Sequence, residues 1–203
     1  MMQFENRTAW MHKLVITSLV LVALMTLGSA PVFSDKPETI EASAMGTGTQ
    51  MGQNYEFRLV IGEYSTMEDR QVLVQAFEKG QNQGLVNALS RMRAVGHVSL
   101  TGTLGYDCSF IRLIQTPTGR KIRFVTNRQL RFGEVWTDSQ SQAFNLTAGE
   151  IDLNDQDKHK SSGVLYPAAQ LVIDKQGQLQ IDLNQNAWKL VDVLDWKGTP
   201  GVN

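Results

Sequence analysis

The chain predicts an α+β fold: a mostly antiparallel, curved sheet or incomplete barrel of about eight strands, with one helical hairpin inserted after the second strand. Three observations carry this reading. From Gly96 to Trp196 the sequence is a succession of short strand-like runs separated by turn residues, and short connections force antiparallel neighbours. Helical spacing is confined to one stretch between Ser65 and Gly96. The alternating strand–helix rhythm of a doubly wound parallel sheet is absent.

The first 34 residues read as an expected export leader. Arg7, His12 and Lys13 precede an uncharged apolar run, Leu14 to Leu27, and the small residues Gly28, Ser29 and Ala30 follow it. The run is shorter than the roughly 20 residues of a spanning helix. Pro31 disfavours cleavage after Ala30, so cleavage is expected after Ser34. The expected organisation is a signal peptide over 1–34, an N-terminal tail over 35–42, one globular domain over 43–197 and a loose tail over 198–203. The expected location is periplasmic or secreted, with membrane contact only through an uncleaved leader.

Within the domain, Ser43 to Gln50 reads as a weak first strand. Tyr55–Ile61 alternates cleanly, with Tyr55, Phe57, Leu59 and Ile61 on one side and Glu56 and Arg58 on the other. Ser65 and Glu68 form an expected capping box at the start of a helix. Val72, Leu73, Ala76 and Phe77 line one face of that helix and Gly80 ends it. Leu85, Ala88, Leu89 and Met92 mark a second helix ending at Gly96. Strands follow at His97–Thr101, Tyr106–Gln115, Lys121–Asn127, Leu130–Thr137, Phe144–Leu153, Val164–Asp174, Gln178–Leu183 and Trp188–Trp196. Thr116-Pro117-Thr118-Gly119-Arg120 is a hairpin connection.

Composition narrows the function classes. The formal net charge is −1, and the leader carries Arg7 and Lys13 against Glu5, leaving about −2 for the rest. No basic excess exists to drive nucleic-acid binding. Cys108 is the single cysteine; it forms no intramolecular disulfide, and with no basic neighbour it reads as a buried apolar residue rather than a nucleophile. His97 and His159 lie far apart and lack zinc-ligand spacing. The oxygen-rich stretch Asp152, Asn154, Asp155 and Asp157 fits no EF-hand frame and reads as a solvated loop. No nucleotide-binding loop and no nucleophile elbow occurs, and no cofactor is expected.

One constellation remains. Tyr106, Asp107, Arg112, Arg123, Arg128, Glu134 and Trp136 fall on strands or strand ends in mid-domain. Tyr106, Asp107, Arg112, Arg128 and Glu134 are the expected lining of a mouth for a small anionic or amphipathic ligand. The competing reading is cross-strand ion pairing on a solvated face.

The order of Gly62-Glu63-Tyr64-Ser65-Thr66-Met67-Glu68-Asp69, Gly102-Thr103-Leu104-Gly105-Tyr106-Asp107, Arg123-Phe124-Val125-Thr126-Asn127-Arg128 and Phe132-Gly133-Glu134 resembles a widespread group of small exported bacterial proteins. The resemblance covers most of 43–196 and implies export and a single domain; it implies no activity, substrate or catalytic residue. The chain departs from the group at Cys108, at Asn127 in place of Asp, and in the glycine-poor loop 154–162. The expected function is that of a non-enzymatic exported domain binding a small ligand or partner. The alternatives are a cofactor-independent hydrolase using Asp107, His97 or Glu134, and a structural envelope protein.

Overall fold

Side chains alternate across a strand, so the sequence decides which residues a curling sheet encloses. In the computed structural model, which describes residues 37–130, 144–175, 177 and 179–197, ten strands form one sheet. They are β1 (Glu38–Met45), β2 (Asn54–Ile61), β3 (Gly96–Leu100), β4 (Tyr106–Cys108), β5 (Phe110–Thr116), β6 (Gly119–Thr126), β7 (Leu146–Asn154), β8 (Ser162–Ile173), β9 (Leu179–Leu183) and β10 (Trp188–Lys197). Their spatial order is β4-β3-β2-β1-β10-β8-β7-β6-β5, with β9 added on β8. Every pairing is antiparallel.

The two ends of that order, β4 and β5, are separated in sequence by Ser109 alone. The sheet therefore curls back on itself into a nearly closed, barrel-like form. This corrects the single expected strand Tyr106–Gln115: the chain leaves one sheet edge at Cys108 and begins the other at Phe110. Ser65 bridges the seam. Its backbone N–H donates to the Ile111 carbonyl at 2.7 Å, and its Oγ accepts from the Ile111 N–H at 3.0 Å.

Two further expectations change at the N-terminal side. Residues 38–42 are strand rather than tail, because β1 lies between β2 and β10 and buries Ile40 and Ala42 inward. The helical hairpin is instead a single helix, α1 (Met67–Leu89), broken at Gln81, which takes φ 53° and ψ −145°. The expected stop at Gly80 is thus realised one residue later. Gly84 permits the close approach across the break: a Cβ there would lie 2.2 Å from the Ala76 carbonyl oxygen. The helix start also shifts by one residue. Thr66, not Ser65, is the N-cap, and Asp69 completes the box by accepting from the Thr66 N–H at 2.8 Å. Ser65 is unavailable because it is engaged with β5.

The enclosed core holds Ile40, Phe57, Leu59, Val98, Ile111, Ile122, Phe124, Ile151, Leu165 and Trp188. Each large apolar side chain buried this way contributes about 1.5–3 kcal/mol. A second cluster lies on the outer surface, where Leu73, Leu85 and Leu89 of α1 pack with Leu146, Phe110, Val125 and Leu171. The hairpin β5–β6 closes through Pro117-Thr118, since Thr116 pairs with Gly119. No helix among the described residues is long and apolar enough to cross a membrane. The expected strand Leu130–Thr137 falls almost wholly outside the described residues.

Candidate functional site

Three of the five expected ligand-binding residues meet in one cleft. It has a volume of about 410 Å³, between the end of α1, the β3–β4 edge and the segment after β6. Tyr106 and Asp107 come from β4, His97 from β3, and Asn127 and Arg128 from the β6 exit; Leu89 and Met92 supply an apolar wall.

Local hydrogen bonding fixes each group. The Arg128 backbone is pinned on both sides, its N–H donating to Thr126 Oγ1 at 3.2 Å while its carbonyl accepts from the Thr126 hydroxyl at 2.6 Å. The buried Thr147 hydroxyl lies 2.8 Å from the same carbonyl. The guanidinium carbon stands 6.0 Å from the centroid of the Tyr106 ring, at the outer reach of cation–π attraction. Among the described residues no carboxylate forms an ion pair with Arg128.

His97 sits between two acceptors. Its Nδ1 lies 3.0 Å from Asp107 Oδ1 and its Nε2 lies 2.9 Å from the Leu104 carbonyl oxygen. A catalytic histidine needs one ring nitrogen aimed at the proton it will take from a nucleophile. Here both nitrogens are engaged, and Nε2 faces a main-chain carbonyl rather than a serine hydroxyl.

Arg112 does not join the cleft. Ile111 points into the core, so Arg112 points outward, directly opposite Arg123 of β6. Arg123 Nε donates to Glu150 Oε2 at 2.5 Å, and Lys121 Nζ donates to Glu150 Oε1 at 2.7 Å. Burial pushes the Glu150 carboxyl up, but the bonds from Lys121 and Arg123 outweigh it and hold the group below its usual range. This outer ladder is the cross-strand ion pairing that competed with the ligand reading, and Arg112 lies on the same outward face beside it. Glu134 and Trp136 lie outside the described residues.

A second polar cluster escaped the sequence reading. Arg120 continues the inward face of Ile122 and Phe124, and its residue surface is 7% exposed. Its Nη1 donates to Glu38 Oε2 at 3.2 Å and to the Tyr64 hydroxyl at 3.3 Å; its Nη2 donates to Asp195 Oδ2 at 2.6 Å and to Glu38 Oε1. Tyr64 in turn donates to Glu38 Oε2 at 2.7 Å. Burial pushes the Tyr64 hydroxyl up, and the adjacent Glu38 carboxylate pushes it further. Four segments, β1, β6, β10 and the β2–α1 connection, are thereby tied across one end of the barrel. With the guanidinium already clamped by two carboxylates, the arrangement is a staple rather than a ligand pocket.

Cys108 is fully buried, and burial together with the Asp107 charge pushes its thiol well above the ordinary range. No group of three or more His, Cys, Asp or Glu among the described residues is placed to hold a metal ion. In the loop after β7, Asp157 instead accepts from the His159 N–H at 3.2 Å, capping a single helical turn at Lys158–Lys160. Compared with known proteins, the chain matches no family model, no curated protein and no solved structure.

Proposed function

We propose that this chain is an exported, non-enzymatic binding protein that takes a small anionic or amphipathic ligand in the Arg128 cleft. The observation that carries the reading is the convergence of Arg128, Tyr106 and Asp107 with His97 around one concavity. Arg128 supplies a guanidinium that no carboxylate among the described residues pairs, suited to bidentate recognition of a carboxylate or phosphate. Tyr106 offers a ring beneath it, and Leu89 and Met92 offer an apolar wall for the rest of the ligand. The Asp107–His97 contact braces the rim. The leader-like segment and the resemblance to small exported proteins support a periplasmic or secreted location. The engagement of both His97 ring nitrogens weighs against the hydrolase alternative.

The test is native mass spectrometry of protein purified from its own cell envelope, with thermal shift against organic anions and lipids. The expected result is a retained small acidic molecule that is lost in Arg128→Ala. A ligand present at a hundredfold its Kd stabilises the fold by about 2.7 kcal/mol. Bare protein in repeated preparations, with no thermal stabilisation by any anion or lipid, overturns the proposal.

A further inference from the structure

The outer surface of a barrel is convex, so a concavity there needs a local cause. One of about 550 Å³ lies across β10, β1, β2 and β3. Its cause is a β-bulge: the β1–β10 register shifts between Glu41 and Ser43, and Asp192 opposite takes φ 51°. The register arranges the outward side chains in rows across the strands. One row runs Leu194, Glu41, Arg58, Ser99, and the next runs through Ser43 and Glu56 to the Thr101 turn. With strands about 4.8 Å apart, a row spans about 14 Å.

An aromatic platform stands at the edge of this trough and is held in place. Trp196 follows Leu194 on the outward face and is 42% exposed. Its Nε1 donates to Glu41 Oε2 at 3.1 Å, and Glu41 Oε1 accepts from Arg58 Nε at 3.0 Å. The indole is thus oriented before any ligand arrives, which lowers the ordering cost of binding.

The chemistry of the lining selects the ligand class. Among the described lining residues, Glu41, Glu56 and Asp192 outnumber the cation Arg58 and repel anions. A purely apolar ligand would strip water from these carboxylates without replacing their hydrogen bonds. A neutral sugar chain answers both demands, since its hydroxyls both donate and accept while one face of each ring is C–H surface. We propose that this trough binds an oligosaccharide, with one ring stacked on Trp196 and its hydroxyls bonded by Arg58, Glu56 and the Ser99 and Thr101 side chains.

Isothermal titration and saturation-transfer NMR with cellohexaose, chitohexaose and hexagalacturonate test this on the full chain. At least one of the two uncharged hexasaccharides is expected to bind, with saturation transfer to its ring protons, and the acidic one to bind more weakly. Trp196→Ala should weaken binding about tenfold while Trp196→Phe retains most of it, and Glu56→Gln should weaken it with an unchanged melting temperature. Absence of binding by both uncharged sugars at millimolar concentration overturns the proposal. So does binding that survives Trp196→Ala and Glu56→Gln undiminished.

Discussion

Arg120→Met removes the cation that bonds both Glu38 and Asp195 inside the barrel. Breaking a buried ion pair by deleting one partner costs about 3–5 kcal/mol. Glu38 and Asp195 side chains retain 14% and 22% exposure, which places the expected loss near the lower end, about 3 kcal/mol. With a urea slope of about 2 kcal/mol/M, the unfolding midpoint should fall by about 1.5 M. Adding Glu38→Gln and Asp195→Asn to Arg120→Met removes the stranded charges and should recover stability to within about 1 kcal/mol of the parent. The pH profile provides a separate readout. Burial pushes Glu38 up, but bonds from Arg120 and Tyr64 prevail and hold it below its usual range. Burial and the Glu38 charge push Asp195 above its own, beyond what Arg120 offsets. Glu38 therefore contributes stability that is full above the unfolded carboxylate value of about 4 and is lost as pH falls through its depressed folded value. Asp195 contributes stability that is full below about 4 and is lost as pH rises through its raised folded value. Stability should peak in mildly acidic solution; Asp195→Asn should flatten the decline above the peak, and Glu38→Gln should lessen the decline below it, leaving the share of Glu150. An Arg120→Met loss under about 1 kcal/mol, or no recovery in the triple variant, refutes the staple.

Cys108 should resist a thiol reagent such as dithionitrobenzoate in the native protein and react only at the rate of unfolding; prompt labelling without denaturant would contradict its burial. Thr66→Ala removes the N-cap of α1 and should cost about 1 kcal/mol in urea denaturation, whereas Ser65→Ala leaves the cap intact and loosens the bond to Ile111 instead. Gly105→Ala places a Cβ 2.3 Å from the Val98 carbonyl and 2.6 Å from His97 Nε2 at φ 71°, so it should cost about 1–3 kcal/mol and broaden the His97 ring resonances in NMR. An unshifted melting temperature together with unchanged His97 signals would show that the β3–β4 turn tolerates the side chain.

Local pattern carried the antiparallel character and the inward face of β2, where Phe57, Leu59 and Ile61 are buried as their alternation requires. It also brought Tyr106, Asp107 and Arg128 forward as a group. Pattern failed where pairing partners decide the outcome. Glu38 to Ala42 has few apolar residues, and only its position between β2 and β10 makes it a strand. Arg112 could not be separated from the cleft, because its direction depends on which side of Ser109 begins the new strand. The helix broke one residue beyond Gly80, at Gln81, which itself takes the positive φ, and Gly84 admits the close approach across the break.

Arg120 marks the boundary between what pattern reveals and what register adds. The hairpin connection Thr116-Pro117-Thr118-Gly119-Arg120 puts it in a turn, where alternation assigns it no face. With β6 beginning at Gly119, alternation alone puts a guanidinium on the face of Ile122 and Phe124 and demands buried acceptors for it. That demand is legible in sequence; its solution is not. The acceptors Glu38 and Asp195 lie 82 and 75 residues away along the chain. They meet Arg120 only because β1 and β10 pair with Ile40 opposite Asp195, turning both carboxylate-bearing strands toward the same end of the core. A buried charge in a small barrel is therefore a statement about strand register, and its removal tests the register as much as the ion pair.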